Sequence, residues 1–173
     1  MNKTFFTIAI VGILLLARAQ AGELQVGFAQ LSITPDIIDQ WVDVNDDAQF
    51  DPDIDLWTDV NGNGKFDAVW MAGFQNQRPA QGVKDNLMAV AVVIDDGKNR
   101  IGIVSADTVG LMRKFVLGVR EAVPVEWGLD YLMVHATHNH EGPDTQGLWG
   151  PGFFSSGVDP DYMEQLQQNI LDA

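Results

Sequence analysis

Cysteine is absent from this chain, and only three of its 173 residues are histidine. The first absence removes disulfides and thiolate metal ligands together, so rigidity must come from core burial or bound ions. Basic residues are scarce too: 10 Lys and Arg stand against 24 Asp and Glu, a formal charge of -14. A surface of that sign repels phosphate backbones and argues against nucleic acid as a partner. It suits cation capture and an extracellular setting. No apolar run reaches the roughly 20 residues that a membrane span needs. The longest, Phe5 to Ala17, follows Lys3 and precedes Ala19-Gln20-Ala21, a small-x-small cleavage pattern. Residues 1–21 therefore read as a signal peptide of a secreted or periplasmic protein. The mature segment, 22–173, carries no transmembrane span and is long enough to bury a core.

The remaining pattern predicts an α/β fold: a mixed β-sheet with flanking helices and an acidic loop insert. Leu24 to Leu31 reads as a strand ended by the Ser32-Ile33-Thr34-Pro35 turn. Met88 to Ile94 and Arg100 to Ser105 read as a hairpin joined through Asp95-Asp96-Gly97. From Val109 to Val123, Leu111, Met112, Phe115, Val116 and Val119 recur at helical spacing. Tyr131 to His135 is again a strand, so a right-handed crossover would set its end beside Asp107. Carboxyl ends of strands are where ligands bind in such sheets. A last helix opens at Asp159-Pro160 and runs through Tyr162, Leu166, Ile170 and Leu171 to Ala173. No glycine, basic last turn or return strand follows it, which predicts the N-terminal part of a larger domain.

Residues 41–69 form the acidic insert, and they repeat themselves. Trp41-Val42-Asp43-Val44-Asn45 through Phe50-Asp51 recurs in register as Trp57-Thr58-Asp59-Val60-Asn61 through Phe66-Asp67. Asp43, Asn45, Asp47 and Asp51, and likewise Asp59, Asn61, Asn63 and Asp67, hold the first, third, fifth and ninth positions of an EF-hand-type calcium loop. Gly64 stands at the sixth, where such a loop turns sharply. The twelfth-position glutamate is missing, replaced by Ile54 and Trp70, with Asp53 and Asp55 as stand-ins in the first copy. Structural Ca2+ is the expectation; an array of Asx turns fits the same residues. The loops resemble those of dockerins and thrombospondin type-3 repeats.

All three histidines fall within His135-Ala136-Thr137-His138-Asn139-His140-Glu141-Gly142-Pro143-Asp144-Thr145. On an extended backbone, residues two apart point the same way, which predicts His138 and His140 on one face and His135 on the other. Two imidazoles beside acidic oxygens at a strand mouth make a candidate transition-metal site. Hydrogen-bonded surface or core histidines would fit the pattern equally well.

Four blocks together, Ile33-Thr34-Pro35, Arg78 to Val83, Val104 to Asp107 and Ala136 to Pro143, resemble the N-terminal catalytic region of the neutral/alkaline, non-lysosomal ceramidases. The resemblance implies an exported Zn2+-dependent amidohydrolase that cleaves the amide of an N-acylated lipid with a metal-activated water. It implies zinc at His138 and a catalytic role for His140 in the same pocket, as oxyanion stabiliser or proton carrier. Asp107 would orient an imidazole through its second nitrogen. Trp149, Phe153 and Phe154 would rim a pocket for an acyl chain, with transient contact to a membrane surface. The family's further histidine, glutamate and tyrosine come from far later in its chain. Where the family reads Ser-Gly-Pro-Gly-Gly, this chain reads Glu141 to Thr145, so polarity beside the metal differs. Two other classes stay open: a metal-dependent hydrolase of esters or sugars, and a non-catalytic secreted calcium-binding module.

Overall fold

The computed structural model describes residues 22–173; the signal-peptide reading of 1–21 lies outside them. In chain order the strands are β1 (Gln25–Ser32), β2 (Gln40–Val42), β3 (Leu56–Thr58), β4 (Met88–Asp95), β5 (Arg100–Ala106) and β6 (Tyr131–Ala136). Helix α1 (Arg113–Ala122) joins β5 to β6, and α2 (Pro160–Asp172) follows β6. One mixed sheet runs in the order β1-β4-β5-β6, antiparallel except for the β5–β6 pair. The expected hairpin and the crossover to a parallel strand are both present. That crossover sets Ala106 opposite Ala136, so both strands end at the same edge.

Alternation decides which face is buried. Ala89 and Ala91, Gly102, Val104 and Ala106, and Leu132 and Val134 point one way, and both helices cover them. Their small size lets helix and sheet approach closely. Helix α2 buries Tyr162, Leu166 and Ile170, spaced four apart on one stripe. The Asp159 carboxylate caps it, accepting from the Asp161 and Tyr162 amides. Burying a side chain such as Leu166 is worth about 1.5–3 kcal/mol. The Tyr162 hydroxyl donates to the Ile33 carbonyl at 2.9 Å, and burial raises its phenol above the ordinary range. The opposite face carries two cross-strand apolar rows, Val26–Ile94–Ile101–Tyr131 and Phe28–Val92–Ile103–Met133.

Helix α1 starts at Arg113, four residues later than helical spacing predicts. The reason is tertiary. The Val109 carbonyl lies 2.7 Å from the His138 ring, and the Gly110 carbonyl accepts from the Thr145 hydroxyl at 2.5 Å. Those carbonyls are held outside a helical ladder.

The acidic insert folds as two copies that clasp each other. Strands β2 and β3 pair antiparallel with Trp41 opposite Trp57, and Phe50 stacks on Phe66 with centroids 4.2 Å apart. Asp39 is buried and accepts from the Val60 and Asp67 amides at 2.9 and 2.8 Å. Asp55, one repeat later, is buried and accepts from the Val44 and Asp51 amides at 2.9 and 2.8 Å. Each copy thus supplies the carboxylate that satisfies its neighbour's backbone. Asp55, expected as a stand-in for the missing twelfth-position glutamate, thus accepts one amide on each carboxylate oxygen.

Candidate functional site

Strand β6 delivers the histidines, but a turn unites them. Thr137 N still donates to Ala106 O at 2.9 Å, continuing the parallel ladder. His138 then takes φ 66°, a left-handed conformation uncommon for a residue with a Cβ. This rotates its ring toward Val109 and breaks the extended alternation from which a shared face was expected. His135 stays exposed on β6, away from the pair.

The His138 ring is pinned by a 2.7 Å hydrogen bond between Nδ1 and the Val109 carbonyl. A carbonyl only accepts, so Nδ1 carries the proton and Nε2 keeps a lone pair in the neutral ring. That Nε2 faces the Nε2 of His140 at 3.2 Å. His138 is exposed and His140 half-buried, so the pair is open to solvent. The role expected of Asp107, orienting an imidazole, is filled by Val109. Asp107 itself accepts from the Met88 amide at 3.0 Å and the Thr137 hydroxyl at 3.1 Å. It fastens the turn.

His140 is held by residues to which motif reading gave no role. Its ring meets the Phe74 ring edge-on at 5.5 Å and lies against Gly73. Gly73 has φ 106°, and a Cβ there would collide with the imidazole. The Arg78 guanidinium bonds the His140 and Ala72 carbonyls at 2.8 and 2.7 Å and covers the Phe74 ring at 4.8 Å. Its other nitrogen approaches Glu141 at 3.3 Å. Position alone could not reveal Arg78, because 62 residues separate it from His140.

Beyond the turn, the buried Asp144 carboxylate accepts from four amides, those of Gln146, Gly147, Trp149 and Gly157, at 2.8–3.1 Å. It cinches the neck of the loop that carries Phe153 and Phe154. Those rings are 84% and 100% exposed, so they do not pack as an acyl-pocket rim. A cleft of about 640 Å3 opens beside the turn, between apolar Ile37, Met71 and Leu87 and polar Asp107, Asn139 and Glu141. Asn139 and Glu141 face this cleft, whereas neither imidazole lines it.

Among the described residues no group of three or more His, Cys, Asp or Glu could hold a metal ion. The imidazole pair fits zinc's preference for nitrogen, and a backbone-tethered Nδ1 is the usual support of a zinc-bound histidine. Two donors fall short of the four that zinc takes. In the insert, the Asp43 carboxylate accepts from Asp47 and Ala48, and that of Asp59 from Gly62, Asn63 and Gly64. Asn45 donates to Asp47, and the Asn61 and Asn63 amides both donate to Asp67. Asp51 accepts from the Asp53 amide.

A mixed α/β layer that presents an imidazole pair at the carboxyl edge of its strands defines the class. Comparison with solved structures makes it narrower. The chain matches the neutral ceramidase of Pseudomonas aeruginosa with a TM-score of 0.58 and 17% identity, over 86% of this chain and 20% of that one. It matches a ceramidase complexed with C2 with a TM-score of 0.56 and 18% identity, again over 86% and 20%. The described chain thus has a ceramidase-like fold and spans about one fifth of the length of these neighbours. No family model and no curated protein matches it.

Proposed function

We propose that this chain carries the histidine-bearing part of an exported zinc-dependent amidohydrolase, acting on the amide of an N-acylated, ceramide-like lipid. The observation that carries this reading is the His138 ring, tethered at Nδ1, with its Nε2 directed at the Nε2 of a second, solvent-accessible imidazole 3.2 Å away. The ceramidase-like fold supports the substrate class. His138 would hold the ion, with further donors from outside the described residues. Bound there, zinc would supply Lewis acidity and a nucleophilic water near neutral pH. The left-handed turn at His138 and the Val109 carbonyl orient one imidazole. Phe74, Gly73 and Arg78 orient the other. His140 would stabilise negative charge or carry a proton.

Zinc affinity of the metal-stripped chain, measured by chelator competition, tests this. His138→Ala should weaken binding about tenfold or more, as second-shell losses alone cost ten- to a hundredfold. Equal affinity in the variant would remove the ligand role.

We propose structural calcium in the insert as a second reading. Its support is the backbone: the fourth and sixth loop positions are left-handed in both copies, at Asp46 and Ala48 and at Gly62 and Gly64. Replacing Asp59 and Asp67 by Ala should abolish the rise in thermal stability that added calcium gives the wild type; an equal calcium-induced rise in the variant rejects the site.

A further inference from the structure

The geometry points to a lipid-docking tip at Leu148 to Phe154, inserting into an electroneutral bilayer surface beside the imidazole pair. Thr145 to Val158 is a run of 14 residues without Asp, Glu, Lys or Arg, in a chain of net charge -14. A loop in water has no reason to shed charge so completely; a loop entering hydrocarbon does, because each ion there is costly. The neck and the tip differ in kind. The neck is ordered by four amide bonds to buried Asp144, whereas the tip presents Phe153 and Phe154 almost fully bare. Their rings touch each other at 5.7 Å centroid separation. Leu148 is 59% exposed, and Trp149 fixes its indole N–H on the Phe74 carbonyl at 3.1 Å, the one-end-polar placement that suits an interface.

A convex aromatic tip fits a fluid surface rather than a shaped protein groove. The open face of the sheet, made of two apolar rows, is the better surface for protein. The tip is also continuous with the histidines, since Phe74 accepts from Trp149 and touches His140. Docking there would hold the imidazoles at the level where a bilayer displays lipid amides. This last point rests on the proposed substrate class; the docking itself does not.

Because the chain has no cysteine, Phe154→Cys gives a single attachment point for an environment-sensitive fluorophore, with Lys98→Cys on the far β4–β5 turn as the control. Added phosphatidylcholine vesicles should shift the emission of the probe at position 154 to the blue and leave that at 98 unchanged. High salt should not reverse the shift, and phosphatidylserine should weaken it, given the net charge of -14. Replacing Phe153 by Ser in the labelled protein should lower vesicle affinity about tenfold. An unresponsive probe at 154, equal responses at both positions, or a response produced by self-association without vesicles would each overturn the proposal. The measurement needs neither zinc nor turnover. A protein that docks but whose zinc affinity is unchanged by His138→Ala would therefore sink the zinc-site reading alone.

Discussion

The acidic insert and the histidine turn put polar side chains to opposite uses. In the insert, Asp39 and Asp55 are buried and exchanged between the two copies, each absorbing two amides of the other. In the turn, structural work falls to Asp107, Asp144, Arg78 and the Val109 carbonyl, which leaves the Nε2 atoms of His138 and His140 facing only each other at a solvent-accessible edge. The insert closes its hydrogen bonds on itself. The turn spends neighbours to keep one pair open. A polar cluster whose members saturate each other is scaffold; one whose supports are separate from its exposed atoms is prepared for a ligand.

The largest test of this contrast is Asp144→Ala. It strands four amides at the loop neck, and with a lost partner costing about 1–3 kcal/mol each, roughly 4 kcal/mol or more should vanish from unfolding stability in urea. A loss below about 1 kcal/mol would mean that water replaces the carboxylate and that the neck is not rigid.

Asp39→Ala and Asp55→Ala come next, each stranding two amides and costing about 2–6 kcal/mol by the same measurement. The informative outcome is their equality. Costs that differ by much more than about 0.5 kcal/mol would break the reciprocal clasp, because related sites should then not be equivalent.

Gly73→Ala is smaller in stability, about 1–3 kcal/mol for a Cβ at φ 106°, but it sharpens the contrast most. The methyl must displace the His140 ring, so the nuclear Overhauser contact between the His138 and His140 rings should disappear while the insert's resonances stay put. Persistence of that contact would show that Gly73 does not position His140.

Much of this architecture is legible along the chain. The β4–β5 hairpin, the parallel return of β6 and the Asp159-capped α2 follow from alternation, an Asp-Gly turn and capping chemistry, all of them local. What escaped detection depends on contacts across long separations. The start of α1 is set by the Val109 and Gly110 carbonyls bonding the histidine segment, which outweighs helical periodicity at Leu111 and Met112. The meeting of His138 and His140 was legible as an outcome but not as a cause, since a left-handed turn, not strand alternation, produces it. Asp39 lies just before the repeat as aligned from Trp41, so its equivalence to Asp55 emerges only once both are seen buried. Asp144 reads as one more acid in a Gly/Pro turn until its four amides are counted.

The smallest expected effect separates burial from hydrogen bonding. Asp96, in the exposed β4–β5 turn, accepts from the Asn99 and Lys98 amides at 2.7 and 2.8 Å, much as Asp144 does in the interior. Those bonds, that of Asn99 foremost, hold its carboxyl below the ordinary value of 3.8. A carboxyl lowered in the folded state contributes stability above the unfolded value and loses it as pH falls through the folded one. In acid titration the wild type should therefore exceed Asp96→Asn in stability near neutrality, and the gap should close as pH falls from the unfolded value through the folded one. Because water competes for these amides, the decline should be slight beside the loss at Asp144. Were the two comparable, hydrogen-bond count rather than burial would set the cost, and the distinction between a sealed scaffold and an open site would lose its physical basis.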